Sequence, residues 1–243
     1  MTLSTLYRQT VAVIRKEVQV AFSSPLVYVF WSVAALLVGL FFYLGLVVSP
    51  EPNLRLLTVN LALANIVLMP MIGMRMFAEE EKQGTLEMML TLPGSLWTFV
   101  LGKFIMGFLL SMMVLFCSLL CVGVLAWLGT PDWGAIFSAL TAQSLCIAFS
   151  LSVAIFASVL TKEPIAAGLL GALFLLPFWM VDSLGQTIDT GWIRQLFEDL
   201  SLMHHLIPLS KGVVAVSDVF WFVGGIGFFL WATERVLEWK RCQ

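Results

Sequence analysis

Residues Leu26 to Val48 read LVYVFWSVAALLVGLFFYLGLVV, and no charged side chain occurs between Glu17 and Glu51. A helix rises 1.5 Å per residue, so about 20 apolar residues cross the roughly 30 Å hydrocarbon layer of a bilayer. Lipid offers no partner to backbone N–H and C=O groups, so such a segment must close its hydrogen bonds within itself, as a helix. The stretch therefore predicts a membrane-spanning helix, and the rest of the chain repeats the pattern. The gaps between charges place spans at 26–48, 56–77, 104–128, 135–160, 164–181 and 219–237. The sixth apolar gap, Val219–Thr233, is short. It is completed by letting Glu234 and Arg235 snorkel toward the interface.

Composition agrees with this reading. The 243 residues are 60% hydrophobic and 12% charged, with a mean hydropathy of +0.98. An ordinary soluble domain is about 25% charged, so the charges here are too few to clothe a soluble globule. Disorder, whose signature is low hydrophobicity, is excluded as well. The expected fold is all-α: a polytopic membrane protein forming a single transmembrane domain over residues 1–243. A net charge of −2 carries no basic surface for nucleic acid. Cys117, Cys121, Cys146 and Cys242 form no C-x-x-C pair, so neither a disulfide framework nor a zinc site is expected. The sequence has no G-x-x-x-x-G-K-[ST], H-E-x-x-H or G-x-S-x-G motif. The chain is therefore read as a non-enzyme with no catalytic residues, no metal and no cofactor, and any energy it uses must come from a partner.

Orientation follows the basic residues. With the N-terminus inside, Arg8, Arg15, Lys16, Arg75, Lys82, Lys103, Lys162, Arg235, Lys240 and Arg241 are cytoplasmic, whereas Arg55, Arg194 and Lys211 are outside. Both termini are expected in the cytoplasm. The first apolar run starts too late, and lacks the small-x-small site, for a cleaved signal, so span one is expected to be permanent.

Three segments lie outside the spans. Residues 1–25 carry Leu3, Tyr7, Val11, Ile14, Val18 and Phe22 at helical spacing, with Arg8, Arg15 and Gln19 on another face. This is an amphipathic helix suited to the lipid headgroup plane, re-aimed into span one by Ser24-Pro25. The turn 79–97 is the densest chemistry in the chain. Glu79, Glu80, Glu81 and Glu87 are four of the 15 acids. Neighbours on a helix sit about 100° apart, so the three adjacent carboxylates cannot share a face. Gly84-Thr85 reads as a bend, and Thr85–Leu90, with Leu86 in it, as a short helix. The whole suits a docking surface for another protein, or else a plain solvated turn. The segment 182–217 repeats Ile193, Leu196, Phe197, Leu200, Met203 and Ile207 at helical spacing, which predicts one or two short outer helices before span six. His204-His205 within it reads as interfacial. Gly107/Ser111, Ala148/Ser152, Ala154/Ser158 and Gly168/Ala172 have the small-xxx-small spacing of close helix contacts, within the chain or between chains. Pro70 and Pro177 should kink spans two and five.

Taken in order, Arg15-Lys16-Glu17, Phe22-Ser23-Ser24-Pro25, the Glu80–Glu87 turn, Leu90-Thr91-Leu92-Pro93, Leu101-Gly102-Lys103 and the run from His205 through Gly212 to Asp218 resemble the ABC-2 type permeases. They are most similar to the small stand-alone permeases related to gliding-motility and copper-enzyme-maturation transporters. The resemblance implies a permease subunit of an ATP-driven exporter in the cell inner (plasma) membrane. A second permease chain, identical or similar, would complete the pathway, and separate ATP-binding ABC subunits would dock beneath. It implies that Arg15, Lys16 and Glu17 lie on the connecting helix. Glu79, Glu80, Glu81, Gly84, Thr85, Leu86 and Glu87 would belong to the element coupled to the ATPase. The other reading is a mechanical or signal-transmitting membrane partner of an ATPase that moves no solute.

Overall fold

The computed structural model describes residues 18–19, 22–48, 54–91, 95–128, 132–185, 191–213 and 215–242. Among them every regular element is a helix: α1 Pro25–Val48, α2 Arg55–Met76, α3 Ala78–Lys82, α4 Thr85–Thr91, α5 Leu96–Leu128, α6 Trp133–Val159, α7 Pro164–Gly185, α8 Gly191–Leu200, α9 Leu202–Ser210 and α10 Val216–Arg241. Six of these, α1, α2, α5, α6, α7 and α10, are long and apolar enough to cross a membrane. The N-terminal stripe from Leu3 to Ile14 and the triplet Arg15-Lys16-Glu17 fall outside the described residues.

Two helices run beyond the bounds read from charge gaps. The third long helix begins at Leu96 rather than Phe104. Lys103 ends the apolar gap in the sequence, but in the fold it is buried, so the helix passes through it. The last long helix runs from Val216 to Arg241 rather than 219–237, with Lys240 and Arg241 in its final turn. Basic residues at a helix C-terminus complement its negative end.

The bundle is built around α6, which packs on α2, α5, α7, α9 and α10. Small side chains make this possible, since in lipid helices associate by close packing rather than by hydrophobic drive. Ala148, Ser150, Ser152, Ala154, Ala157 and Ser158 of α6 are all buried. A Cβ placed on Gly73 would lie 2.5 Å from Ala154 Cβ and 2.9 Å from its carbonyl carbon. One on Gly107 would lie 3.1 Å from Leu151, and one on Gly168 3.3 Å from Met74. Gly107, Ala154 and Gly168, each from a small-xxx-small pair, therefore make their close contacts within the chain. Pro70 sits inside α2 and Pro177 inside α7, and both helices continue past them. The far half of the core surrounds Phe149, whose ring lies 5.2 Å from Phe178, 5.1 Å from Trp221 and 6.0 Å from Phe229.

The long helices alternate in direction. One end of the bundle gathers Ser24, Arg75, Lys103, Ser158 and Lys240 around α3. The opposite end is covered by α9, where Ser138 donates to the carbonyl of Leu209. The apolar stripe read across 193–207 is split there. Ser201 leaves the helical region (φ −73°, ψ 124°), and its hydroxyl accepts the His204 N–H at 3.2 Å, capping α9.

Candidate functional site

The site is the elbow joining α2 to α5, and it starts with a break in the backbone. At Phe77 the chain leaves helical geometry (φ −124°, ψ −39°) and restarts as α3. A new helix start leaves backbone N–H groups without carbonyl partners. Here Phe77 and Ala78 donate theirs to Ser158 Oγ on α6, at 3.1 and 3.0 Å. The same hydroxyl donates to the Met74 carbonyl at 3.3 Å. One serine thus satisfies both sides of the break, and both elbow residues are buried.

The elbow turns again at Gly84, whose φ of +70° is in the left-handed region that favours glycine. Gln83 N–H donates to Glu79 O at 3.0 Å, Gly84 N–H to Glu81 O at 3.1 Å, and the Thr85 hydroxyl to Glu80 O at 3.2 Å. Beyond the bend Leu86 is buried and pins α4, while Gln83, Gly84, Thr85, Glu87 and Met88 are exposed. These five form the rim of the elbow.

The three consecutive carboxylates point three ways, as their angular spacing requires. Glu79 takes a two-pronged contact from the Arg75 guanidinium, one of its bonds at 2.8 Å, and Arg75 also donates to the Ser24 hydroxyl before α1. Glu80 meets Lys103 of α5 at 2.9 Å. Lys103 is 1% exposed, and its ammonium lies 5.0 Å from the Phe77 ring centroid, within cation–π range. Glu81 pairs with Lys240 at the end of α10. Lys82 reaches Glu163, between α6 and α7, at 2.8 Å. The last pair is exposed, the kind that contributes about 0–1 kcal/mol. The Glu80–Lys103 pair is mostly out of water, where losing one partner strands the other.

Of the residues singled out in the sequence, Glu79, Glu80 and Glu81 are joined to the chain's own bases, while Gly84, Thr85 and Glu87 stand on the rim above Leu86. The sequence reading passed over Ser158 as anything more than a small packing residue, and it passed over Lys240 and Glu163 as partners. One pairing was open to inspection: Arg75 and Glu79 have the i,i+4 spacing of a helical ion pair. The others join residues from different helices, with no local spacing to betray them. The arrangement has no nucleophile–base pair, and among the described residues no cluster of three or more His, Cys, Asp or Glu could hold a metal. Its chemistry is that of a charged joint linking α2, α5 and α10 with the α6–α7 connection.

Comparison with known proteins adds one finding. A family model described as an ABC-2 family transporter protein matches residues 49–210, which take in the elbow. No curated protein matches the chain.

Proposed function

The chain belongs to the ABC-2 family of transporter proteins, multi-pass membrane components of ABC transporters that are not themselves catalytic, and from that premise we propose that it is the permease subunit of an ATP-driven exporter. In this reading the elbow end faces the cytoplasm and a separate ATP-binding subunit docks on the rim Gln83–Thr85 with Glu87 and Met88. A second permease chain, identical or similar, completes the pathway in the cell inner membrane.

The observation that carries the reading is the division of labour within the elbow. Its rim is exposed and, apart from Met88, polar or glycine, around a bend that only glycine adopts easily. Behind the rim, Glu79, Glu80 and Glu81 are tied to α2, α5 and α10, so a push on the rim reaches several long helices at once as a rigid-body displacement. A charged rim residue such as Glu87 sets partner choice and register more than affinity.

The test is to purify the permease with the ATPase it associates with and compare Glu87→Lys, Gly84→Pro and Glu81→Lys. Insertion should be intact in all three. The rim variants should lose complex recovery. Glu81→Lys should keep the complex and lose permease-dependent ATP hydrolysis. Wild-type values for all three would remove the support for coupling through this elbow. Export by reconstituted vesicles then separates solute transport from a purely mechanical role.

A further inference from the structure

At the elbow end of the bundle a cavity runs between α1, α2 and α5. Val27 and Phe30 of α1, Ile72 of α2, and Met106 and Leu110 of α5 line it, and all five are buried. The polar residues in its wall are Ser24, Arg75 and Glu79, gathered where α1 begins and α2 gives way to α3. A shallow hollow lined by Gln19, Ser23, Ser24, Pro25 and Arg75 shares Ser24 and Arg75 with the cavity. The space is therefore apolar inside and polar at one end. Helices in lipid hold together by close contact, and a gap along them forfeits contact energy. Water is a poor filler, because the apolar walls offer it no hydrogen bonds. An acyl chain is a good one. From Ser24 to Phe30 the cavity follows six residues, about 9 Å of helix rise, which takes the first part of one chain.

The polar end narrows the choice of lipid. Arg75 gives two of its five N–H groups to Glu79, one of them at 2.8 Å, and a third to the Ser24 hydroxyl. The pair is neutral as a whole, so it has no net pull on an anion. Both halves still show at the surface, with side chains 29% and 32% exposed. A zwitterion answers both halves at once, with its phosphate beside the guanidinium and its ammonium beside the carboxylate. Each carboxylate oxygen has two lone pairs, so Glu79 can accept from an ammonium while holding Arg75. A primary ammonium has N–H groups to give. The trimethylated ammonium of a choline headgroup has none, and a glycerol headgroup has no cation for Glu79.

We propose that this cavity is a binding site for a phospholipid with a primary-amine headgroup, one acyl chain lying between α1, α2 and α5 and the headgroup on the Arg75–Glu79 pair. The bound chain completes the packing of α1, a helix that otherwise turns most of its surface to the membrane. This inference is independent of the exporter reading, because its test needs neither ATPase nor transport.

The test is native mass spectrometry of the delipidated full chain in detergent, titrated with dioleoyl lipids. Phosphatidylethanolamine should bind at least about tenfold more tightly than phosphatidylcholine or phosphatidylglycerol, the difference expected for one charge-assisted hydrogen bond. Glycerophosphoethanolamine, the same headgroup without chains, should not compete at equal concentration. Val27→Phe puts a ring into the cavity and should weaken phosphatidylethanolamine binding by a similar factor. If that variant does not accumulate, phosphatidylethanolamine with a photoreactive acyl chain locates the seat on the unaltered protein, with crosslinks expected at Val27, Phe30 and Met106. Equal binding of the three lipids would overturn the headgroup assignment, and competition by the chainless headgroup would overturn the role of the chain. Undiminished binding by Val27→Phe, or crosslinks confined to exposed α1 residues such as Leu36 and Leu40, would overturn the cavity as the seat.

Discussion

Lys103 reaches Glu80 across 2.9 Å although its own side chain is 1% exposed. An ammonium so placed depends on its partner, because the protein has taken away its water. The pair stitches α3 to the interior of α5, past the start of that helix at Leu96.

Removing one member should therefore be worse than removing both. Lys103→Met is expected to cost about 3–5 kcal/mol by stranding the Glu80 carboxylate. Glu80→Gln/Lys103→Met should recover most of that loss. A double-mutant cycle, read by denaturant unfolding in mixed micelles, measures the coupling. Simple additivity, within about 0.5 kcal/mol, would mean that the two side chains do not depend on each other.

Ser158 accepts two buried backbone N–H groups at the α2–α3 break. Ser158→Ala keeps the packing but leaves both donors without that oxygen, so it should destabilise the protein by about 1–3 kcal/mol. The effect should concentrate at the elbow, seen as faster hydrogen exchange at Phe77 and Ala78 than across α6. Unchanged exchange there would show that the break has another source of hydrogen bonds.

Gly73 and Ala154 are an unequal pair. Gly73→Ala should sharply lower thermal stability, because the new Cβ meets both the Ala154 side chain and its backbone. Ala154→Gly in the same chain should give only partial recovery. It removes the 2.5 Å contact, but the 2.9 Å approach to the backbone carbonyl carbon remains. Full rescue would show that the helices can separate freely at this point.

The two ends of the bundle should lie on opposite sides of the membrane. With Cys242 replaced by Ser, single cysteines at Asp132 and Lys211 should react with an impermeant thiol reagent applied from outside. Cysteines at Gln83 and Glu163 should be protected. Labelling of Gln83 from outside would invert the proposed orientation.

The long helices were legible in the sequence because lipid imposes one rule on every residue of a span: no charge and no open backbone. The rule misled where a helix carries charges: Lys103 is buried with a partner, and Lys240 and Arg241 close the last turn of α10. Lys103 looked like a boundary and is an interior residue of α5. The outer segment showed its helical stripe, but the break at Ser201 rests on a cap bond to His204 that apolar spacing does not record. His205 and Asp218 are 13 residues apart in the chain, and their contact depends on how α9 folds back onto α10. The elbow's acids stood out by their density, yet their partners are fixed by tertiary packing. Lys240 is 159 residues from Glu81.

The run Glu79-Glu80-Glu81-Lys82 works like the cut of a key, in which each tooth meets its own pin. A point substitution files down one tooth. Deleting a single residue within Ala78–Lys82 would instead rotate every following side chain by about 100°, and the later pairings would miss together. Selection on this segment should therefore act on its length more strictly than on its composition. Natural relatives and random-deletion libraries should show substitutions here far more often than gaps, and frequent functional gaps would mean that the teeth do not need their pins.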